Sequence, residues 1–349
     1  MYIRKMFCIS PQPTYGNELF EQGAEEHTES QFWAKEPKYK SMVPLNLLRR
    51  MSKSVRMGVG TGLPLINEFE DIEGIIIGSA NGSIKKSIRF LNQIVEYNEG
   101  TLTPTDFVQS TSNSIAGTLA LMGKITGYNN THVNNGIAFE AALLDAILLF
   151  EAGKAKRLLI GGVEEISQAN YNIDKLRGMF KEEAVRSTEL LASKTKGTVS
   201  GEGAALFVVD AQESSSSIAE IIDVDQICYP SKEEIVDKIH HFLEKNQLEA
   251  SAIDSLFLGY NGDIRTDFYY HWVSEKLFGK EVSIYAYKNL VGDYYTVSSF
   301  AMWMAAHLID GQTLPQETIV RQGQRPVKNV LIYNHYEGTQ HGLILLRSC

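Results

Sequence analysis

One stretch constrains the fold more than any other: GYNNTHVNNGIAFEAALLDAILLFEAGKAKRLLIGGV, from Gly127 to Val163. It reads as a turn, a nearly all-apolar helix, a short polar connection and a buried strand. Between Ile137 and Phe150 only Glu140 and Asp145 carry charge. A helix apolar on most of its faces is covered on most of its faces. This one is too short, and too interrupted by carboxylates, to span a bilayer. The chain is therefore expected to build layers around a central helix. Its first turn, THVNNG, would direct the N-terminal end of that helix at whatever cavity the protein has. Such an end offers free backbone N–H groups and partial positive charge, a good seat for a nucleophile.

The bulk properties narrow the class. At 349 residues the chain exceeds one ordinary core, so two packed units are expected. A net charge of −9 argues against nucleic acid or an anionic membrane as the main partner. Cys8, Cys228 and Cys349 are far apart and odd in number. They make no metal-ligand spacing and no disulfide framework, so neither a metal nor a cofactor is expected. MYIRKMFCIS holds too short an apolar run for a signal peptide, which makes a reducing cytoplasm the expected location.

Along the chain, residues 1–10 read as a first strand, and residues 11–40 as an exposed, irregular loop. From Pro44 the text turns helical: Leu45, Leu48, Met51, Val55 and Val59 follow helical spacing, and Arg49, Arg50 and Lys53 mark a wet side. Those basic residues read as a solvated face or as a docking surface for an acidic carrier protein. GIIIGS at Gly74–Ser79 is a buried strand, and a helix follows over about Ile84–Tyr97. Leu158–Gly162 and Ala204–Val209 are further buried strands, with a charged surface segment over 170–197. Gly201 and Gly203 precede a strand rather than a helix, so SGEG reads as close backbone packing and not as a phosphate loop.

After Ser214–Ser217 the pattern repeats. Ile218–Ile227 is strand-like, and Ser231 with Glu234 forms a capping-box pattern. Leu256–Tyr260 and Ser283–Tyr287 are strands. Val297–Ile309 is a second apolar helix, and Val330–Asn334 with Gly342–Leu346 closes the chain as a strand pair. The expectation is a duplicated α/β unit with sandwiched central helices.

PLNLLRRMSKSVRMGV, TPTDFVQSTSNSIAG, THVNNG…LLIGGVEE and SGEGAALFVVD together resemble the thiolase-fold β-ketoacyl synthases. YNGD, KNLVGD and YEGTQHG fall where that family has three further motifs. The resemblance spans nearly the whole chain and is most specific in its first half. SNSIAG and AFEAALLDA are most similar to ketosynthase-like subunits of bacterial aryl-polyene and related pigment pathways, several of which are chain-length factors. The resemblance implies a duplicated five-layer αβαβα sandwich with two buried central helices. It implies an N-terminal ketosynthase-like half over 1–213 and a reduced C-terminal half over 214–349.

The family's chemistry uses a cysteine thiolate at the head of the central helix, which attacks an acyl thioester on an acyl carrier protein. Two histidines assist decarboxylation of the extender. Carried over residue by residue, the nucleophile position falls on Val133, counted back from Gly136. Sliding the alignment offers His132, Thr131 or Asn134, and no thiol. Asn261 and Asp293 occupy the two histidine positions, while Lys288 matches the motif lysine. The closing glycine-rich loop is reduced to Gly338–Gly342. Losing the nucleophile of such a unit costs on the order of a millionfold. The resemblance then implies a subunit without ketosynthase turnover of its own. Its partner would be an active ketosynthase in a heterodimer, or a second copy of itself, with an acyl carrier protein as a possible further partner.

Alternatives stand beside this reading. His132, Asn134, His335 and His341 form a possible altered site, and Asp293 or Asn261 would serve thioester hydrolysis or acyl transfer. A homodimeric acyl-binding scaffold is a third possibility. Tyr285, Tyr287, Tyr294 and Tyr295 either fill a former substrate tunnel or pack the core. Ser110 and Ser112 lack a G-x-S-x-G setting, which argues against a serine hydrolase.

Overall fold

A computed structural model describes residues 1–349. Eleven strands join into one hydrogen-bonded sheet: β1 (Tyr2–Ile9), β2 (Gly74–Gly78), β3 (Tyr128–His132), β4 (Arg157–Glu164), β5 (Gly203–Asp210), β6 (Ala219–Cys228), β7 (Ser255–Leu258), β8 (Ser283–Ala286), β9 (Ile319–Arg321), β10 (Asn329–Tyr336) and β11 (Gln340–Ser348). Their order is β9-β8-β7-β10-β11-β6-β1-β5-β4-β2-β3. Ten of them form two sets of five that repeat one plan, and β9 is added outside the second set, antiparallel to β8. In each, the third strand lies outermost, followed by the second, fourth, fifth and first. The second strand is parallel to the third and fourth, and the fifth is antiparallel to the fourth and first. The sets touch only where Tyr2 and Ile3 pair with Glu220 and Ala219.

Eight helices complete the layers: α1 (Lys53–Glu68), α2 (Ile84–Glu96), α3 (Ser114–Gly123), α4 (Ala138–Glu151), α5 (Gln168–Leu176), α6 (Lys232–Lys245), α7 (Phe268–Leu277) and α8 (Ser298–Ile309). The strand GIIIG shows how the layering follows from alternation. Ile76 faces the central layer with Phe139 of α4 and Trp303 of α8, while Ile75 and Ile77 face the outer layer with Val55 and Val59 of α1. On the far side Ile235, Ile239 and Phe242 of α6 pack with Leu256, Leu258 and Tyr333. Both central helices touch strands of both sets. The layers run α1/α3, first set, α4/α8, second set, α6/α7, which is the thiolase-like sandwich. No helix is long and apolar enough to cross a membrane.

Two expectations change. The turn before the central helix is in part a strand, β3, paired parallel to β2 on one side and bare on the other. Its polar text, YNNTH, buries little and so carries no strand signature. Residues 11–40 are not simply an exposed loop: Gln12, Leu19 and Phe32 are fully buried, and Gln12 Nε2 donates to the carbonyl of Leu290 at 2.9 Å. On α4, expected to be covered on most of its faces, Leu144 and Leu148 remain 40% and 55% exposed.

The capping box of α6 is present in full. Ser231 Oγ accepts from Glu234 N at 3.2 Å, and Glu234 Oε2 accepts from Ser231 N at 2.7 Å. Ser231→Ala is expected to cost about 1 kcal/mol, read as a shift in the denaturation midpoint.

Candidate functional site

Two turns bring together the positions identified from the motifs. β7 ends at Leu258, and the chain reverses at Gly262, whose φ is 75°. Asn261 stands in that turn. After β8, one helical turn (Lys288–Val291) and Gly292, at φ 74°, lead to Asp293. A side chain at either glycine would be strained in this left-handed backbone. Asn261 Nδ2 donates to Asp293 Oδ2 at 2.8 Å, and Lys288 Nζ lies 3.0 Å from Asp293 Oδ1. Lys288 is fully buried and also donates to the carbonyl of His335 at 3.1 Å. Asp267 accepts from the N–H groups of Asn261 and Gly262, and burial pushes its carboxyl up to about 6.

The serine-glycine run packs against this site. Gly201 N donates to the carbonyl of Asp293 at 3.0 Å, and Asp293 N donates to that of Val199 at 2.7 Å. A Cβ at Gly201 would overlap the carbonyl oxygen of Val291, so the glycine serves close backbone approach.

Asp293 lines two neighbouring cavities. One, of about 300 Å³, is lined by Arg177, Met179, Thr198, Asn261, Asp263, Arg265, Thr266, Asp293, Tyr336 and Glu337. Only Met179 and Tyr336 among these are hydrophobic, so the space suits a polar occupant better than an acyl chain. Its cations are partnered, Arg265 with Asp263 at 2.5 Å and Arg177 with Glu337 at 3.3 Å. The other cavity, of about 50 Å³, shares Met179, Thr198, Asp293 and Tyr336 with the first and extends to Glu164, Tyr171, Tyr294 and Tyr295. A wide groove begins at Arg177 and Arg265 and carries Lys175, Lys181 and Lys196.

The head of α4 is elsewhere. No residue of 131–136 lines either cavity that Asp293 shares. Val133 is 49% exposed, Asn134 is exposed, and Asn135 holds a left-handed φ of 51°. Behind them Gln340 Oε1 accepts from Gly136 N at 2.9 Å, and Tyr336 packs so closely that a Cβ at Gly136 would overlap it. The last hairpin thus closes the helix end that was expected to open onto a cavity. Cys8 is buried on β1, Cys228 and Cys349 are exposed, and none lines either cavity. No group of three or more His, Cys, Asp or Glu side chains is placed to hold a metal.

His335 and His341 are apart from both places, whereas His132 stands at the head of α4. His132, on the bare strand, lies 2.9 Å from Asp145 Oδ2. His335 and His341 face each other across β10 and β11 inside an aromatic cage. Tyr333 Oη is 2.8 Å from His341 Nδ1, and His335 Nε2 is 3.2 Å from the carbonyl of Thr266. Burial holds His341 down at about 4 and His335 well below its usual range. Of the four tyrosines, Tyr285 stacks on Phe257 and Tyr287 donates to Asn334, whereas Tyr294 and Tyr295 line the smaller cavity. Of the basic residues on the first helical segment, Lys53 turns to the buried Glu202, while Arg49 and Arg50 stay exposed.

Sequence reasoning found Asn261, Lys288 and Asp293 but passed over Glu164, Arg177, Arg265 and Tyr336. Two adjacent glutamates closing a buried strand were the available signal for Glu164.

Comparisons place this geometry. The family model of the β-ketoacyl synthase N-terminal domain matches residues 23–219. No curated protein matches the sequence. Among solved structures, a β-ketoacyl synthase from Burkholderia phymatum STM815 is similar at 17% identity and TM-score 0.81, covering 100% of this chain and 99% of its own. The ishigamide ketosynthase/chain length factor gives 15% identity and TM-score 0.83, covering 100% and 98%. The ketosynthase ApeO in complex with its chain length factor ApeC, from Xenorhabdus doucetiae, gives 15% and 0.79, with coverage of 100% and 98%.

Proposed function

The chain belongs to the β-ketoacyl synthase family, and from that premise we propose that it is a non-catalytic ketosynthase-like subunit, of the chain-length-factor type, that pairs with an active ketosynthase. On this reading residues 1–213 and 214–349 are its two ketosynthase-like halves. The observation that carries the proposal is the head of α4. Val133, Asn134 and Asn135 stand there with no thiol, and Tyr336 and Gln340 close the space behind. An acyl thioester has no nucleophile to meet, and the aspartate at one histidine position is engaged by Lys288 and Asn261.

The partner half of the proposal rests on the bare edge of β3 and the surface beside it. An unpaired strand edge is a ready template for another chain. Beside it lie Leu144 and Leu148 of α4, which are exposed together with Leu121, Tyr128 and Val133. Large apolar side chains left exposed on the strand and on helices that touch it support an interaction site there. The basic groove at Lys175, Arg177 and Lys196 supports docking of an acidic carrier protein.

Co-expression with cysteine-bearing ketosynthases of this family tests this. A cysteine-bearing partner is expected to co-purify at one to one, and Leu148→Glu is expected to abolish the pairing while leaving the melting temperature of the isolated chain unchanged. A stable homodimer that ignores those ketosynthases would sink the heterodimer reading.

A second reading has one observation in its favour: Asp293 borders both cavities and can face water there. Asp293 would then act as a general base in thioester hydrolysis. Thioester turnover by the purified chain, lost in Asp293→Ala, distinguishes the two readings.

A further inference from the structure

The larger cavity beside Asp293 is walled by polar side chains except at Met179 and Tyr336. Met179 stands just beyond α5, and its backbone is fixed on both sides. Its N–H donates to the carbonyl of Asp174 at 3.0 Å, and its carbonyl accepts from Thr198 N at 2.9 Å. The side chain is half-buried, and two donors converge on its sulfur. Arg177 Nη1 lies 3.5 Å from Sδ, and Tyr336 Oη lies 3.7 Å from it. They come from different walls, Arg177 from the end of α5 and Tyr336 from the end of β10. A thioether is a weak acceptor, so a guanidinium and a phenol directed at one gain little. Oxidation turns the same side chain into a polar one with an oxygen to offer.

We propose that Met179 is a methionine sulfoxide site, oxidised by hydrogen peroxide that enters through the larger cavity, with Arg177 and Tyr336 receiving the new oxygen. The sulfur gives up two electrons and takes one oxygen of the peroxide, whose other oxygen leaves as water. A polar space of about 300 Å³ has room for water, and peroxide resembles water in its hydrogen bonding. By contrast Met6, Met51, Met57, Met302 and Met304 are buried and border neither cavity. The site lies within this chain, so it stands whether or not the chain pairs with a ketosynthase.

The effect on stability sets this methionine apart. Sulfoxide formation ordinarily disrupts packing, because it puts a polar group among apolar ones. At Met179 it exchanges two weak contacts to sulfur for two hydrogen bonds to oxygen, one of them charge-assisted. It also ties the end of α5 to the end of β10 across the mouth of the larger cavity.

Treatment of the full chain with dilute hydrogen peroxide, followed by peptide mapping in a mass spectrometer, is expected to find Met179 as the sulfoxide while the five buried methionines stay reduced. Denaturant unfolding before and after treatment, run on the parent and on Met179→Leu, isolates the effect of this one oxygen. In the parent the oxygen is expected to leave the unfolding equilibrium unchanged or to favour the folded state. In Tyr336→Phe, and separately in Arg177→Gln, its effect is expected to be about tenfold less favourable, the worth of one missing hydrogen bond. Arg177 is exposed, so its variant reads the result even where Tyr336→Phe fails to fold. Met179 that stays reduced, an oxygen that destabilises the parent, or an effect equal in the parent and in both variants would each overturn the proposal.

Discussion

Lys288→Met is expected to destabilise the protein by about 3–5 kcal/mol, the usual consequence of stranding one member of a buried ion pair. Lys288 is fully buried, and its ammonium group is the only cation within ion-pair distance of Asp293. Without it, Asp293 keeps only the Asn261 amide on Oδ2 and the lining of two narrow cavities. The carbonyl of His335 loses its lysine donor at the same time. The double variant Lys288→Met/Asp293→Asn removes both charges and leaves an oxygen for Asn261 to bond. It is expected to recover most of the loss, and denaturant unfolding of the parent, both singles and the double measures the coupling. Equal stability of the single and double variants would show that the lysine is not there to balance Asp293.

The second large effect depends on pH. Glu140 lies in the first turn of α4, fully buried. Burial pushes its carboxyl from 4.5 up to about 7, and its own backbone N–H, the Ser298 hydroxyl and, last, the charge of Lys288 offset only part of this. The folded chain therefore holds a proton that the unfolded chain releases above pH 4.5. Stability is lost as pH rises from 4.5 to 7, and the loss is complete above that. A difference of this size corresponds to about 3 kcal/mol. Glu140→Gln bears no such cost. It should match the parent near pH 4.5 and exceed it by about 3 kcal/mol at pH 8, measured as unfolding free energy at the two values. The buried histidines act in the opposite sense. His307 and His341 are held neutral down to about 4, so they cost stability as pH falls from 6.5. Subtracting the parent's profile from the variant's isolates Glu140 from them.

Local patterning was enough to find the central elements. α4 and α8 are long apolar runs, and the strands at Gly74, Leu158 and Ala204 are continuous apolar text bounded by glycine or charge. In each case burial on most sides leaves no freedom for polar residues, so the pattern survives in one dimension. The capping box at Ser231 is legible for the same reason, since its partners lie three residues apart. β3 was not legible, because a polar strand with one bare edge buries too little to show a period.

The candidate site divides in the same way. Motif positions alone identified Asn261, Lys288 and Asp293, and the absence of a thiol near Gly136 follows from the sequence by itself. That Asn261 and Lys288 both hold Asp293 was decided by two turns, one after β7 and one after β8, 32 residues apart at their closest hydrogen bond. That the head of α4 faces Tyr336 and Gln340 was decided by a hairpin about two hundred positions downstream. Glu164 reads in sequence as an ordinary strand-end acid. Its burial, which pushes its carboxyl up to about 8, is a property of the packed volume around it, because electrostatic environment depends on distance through space and not on order along the chain.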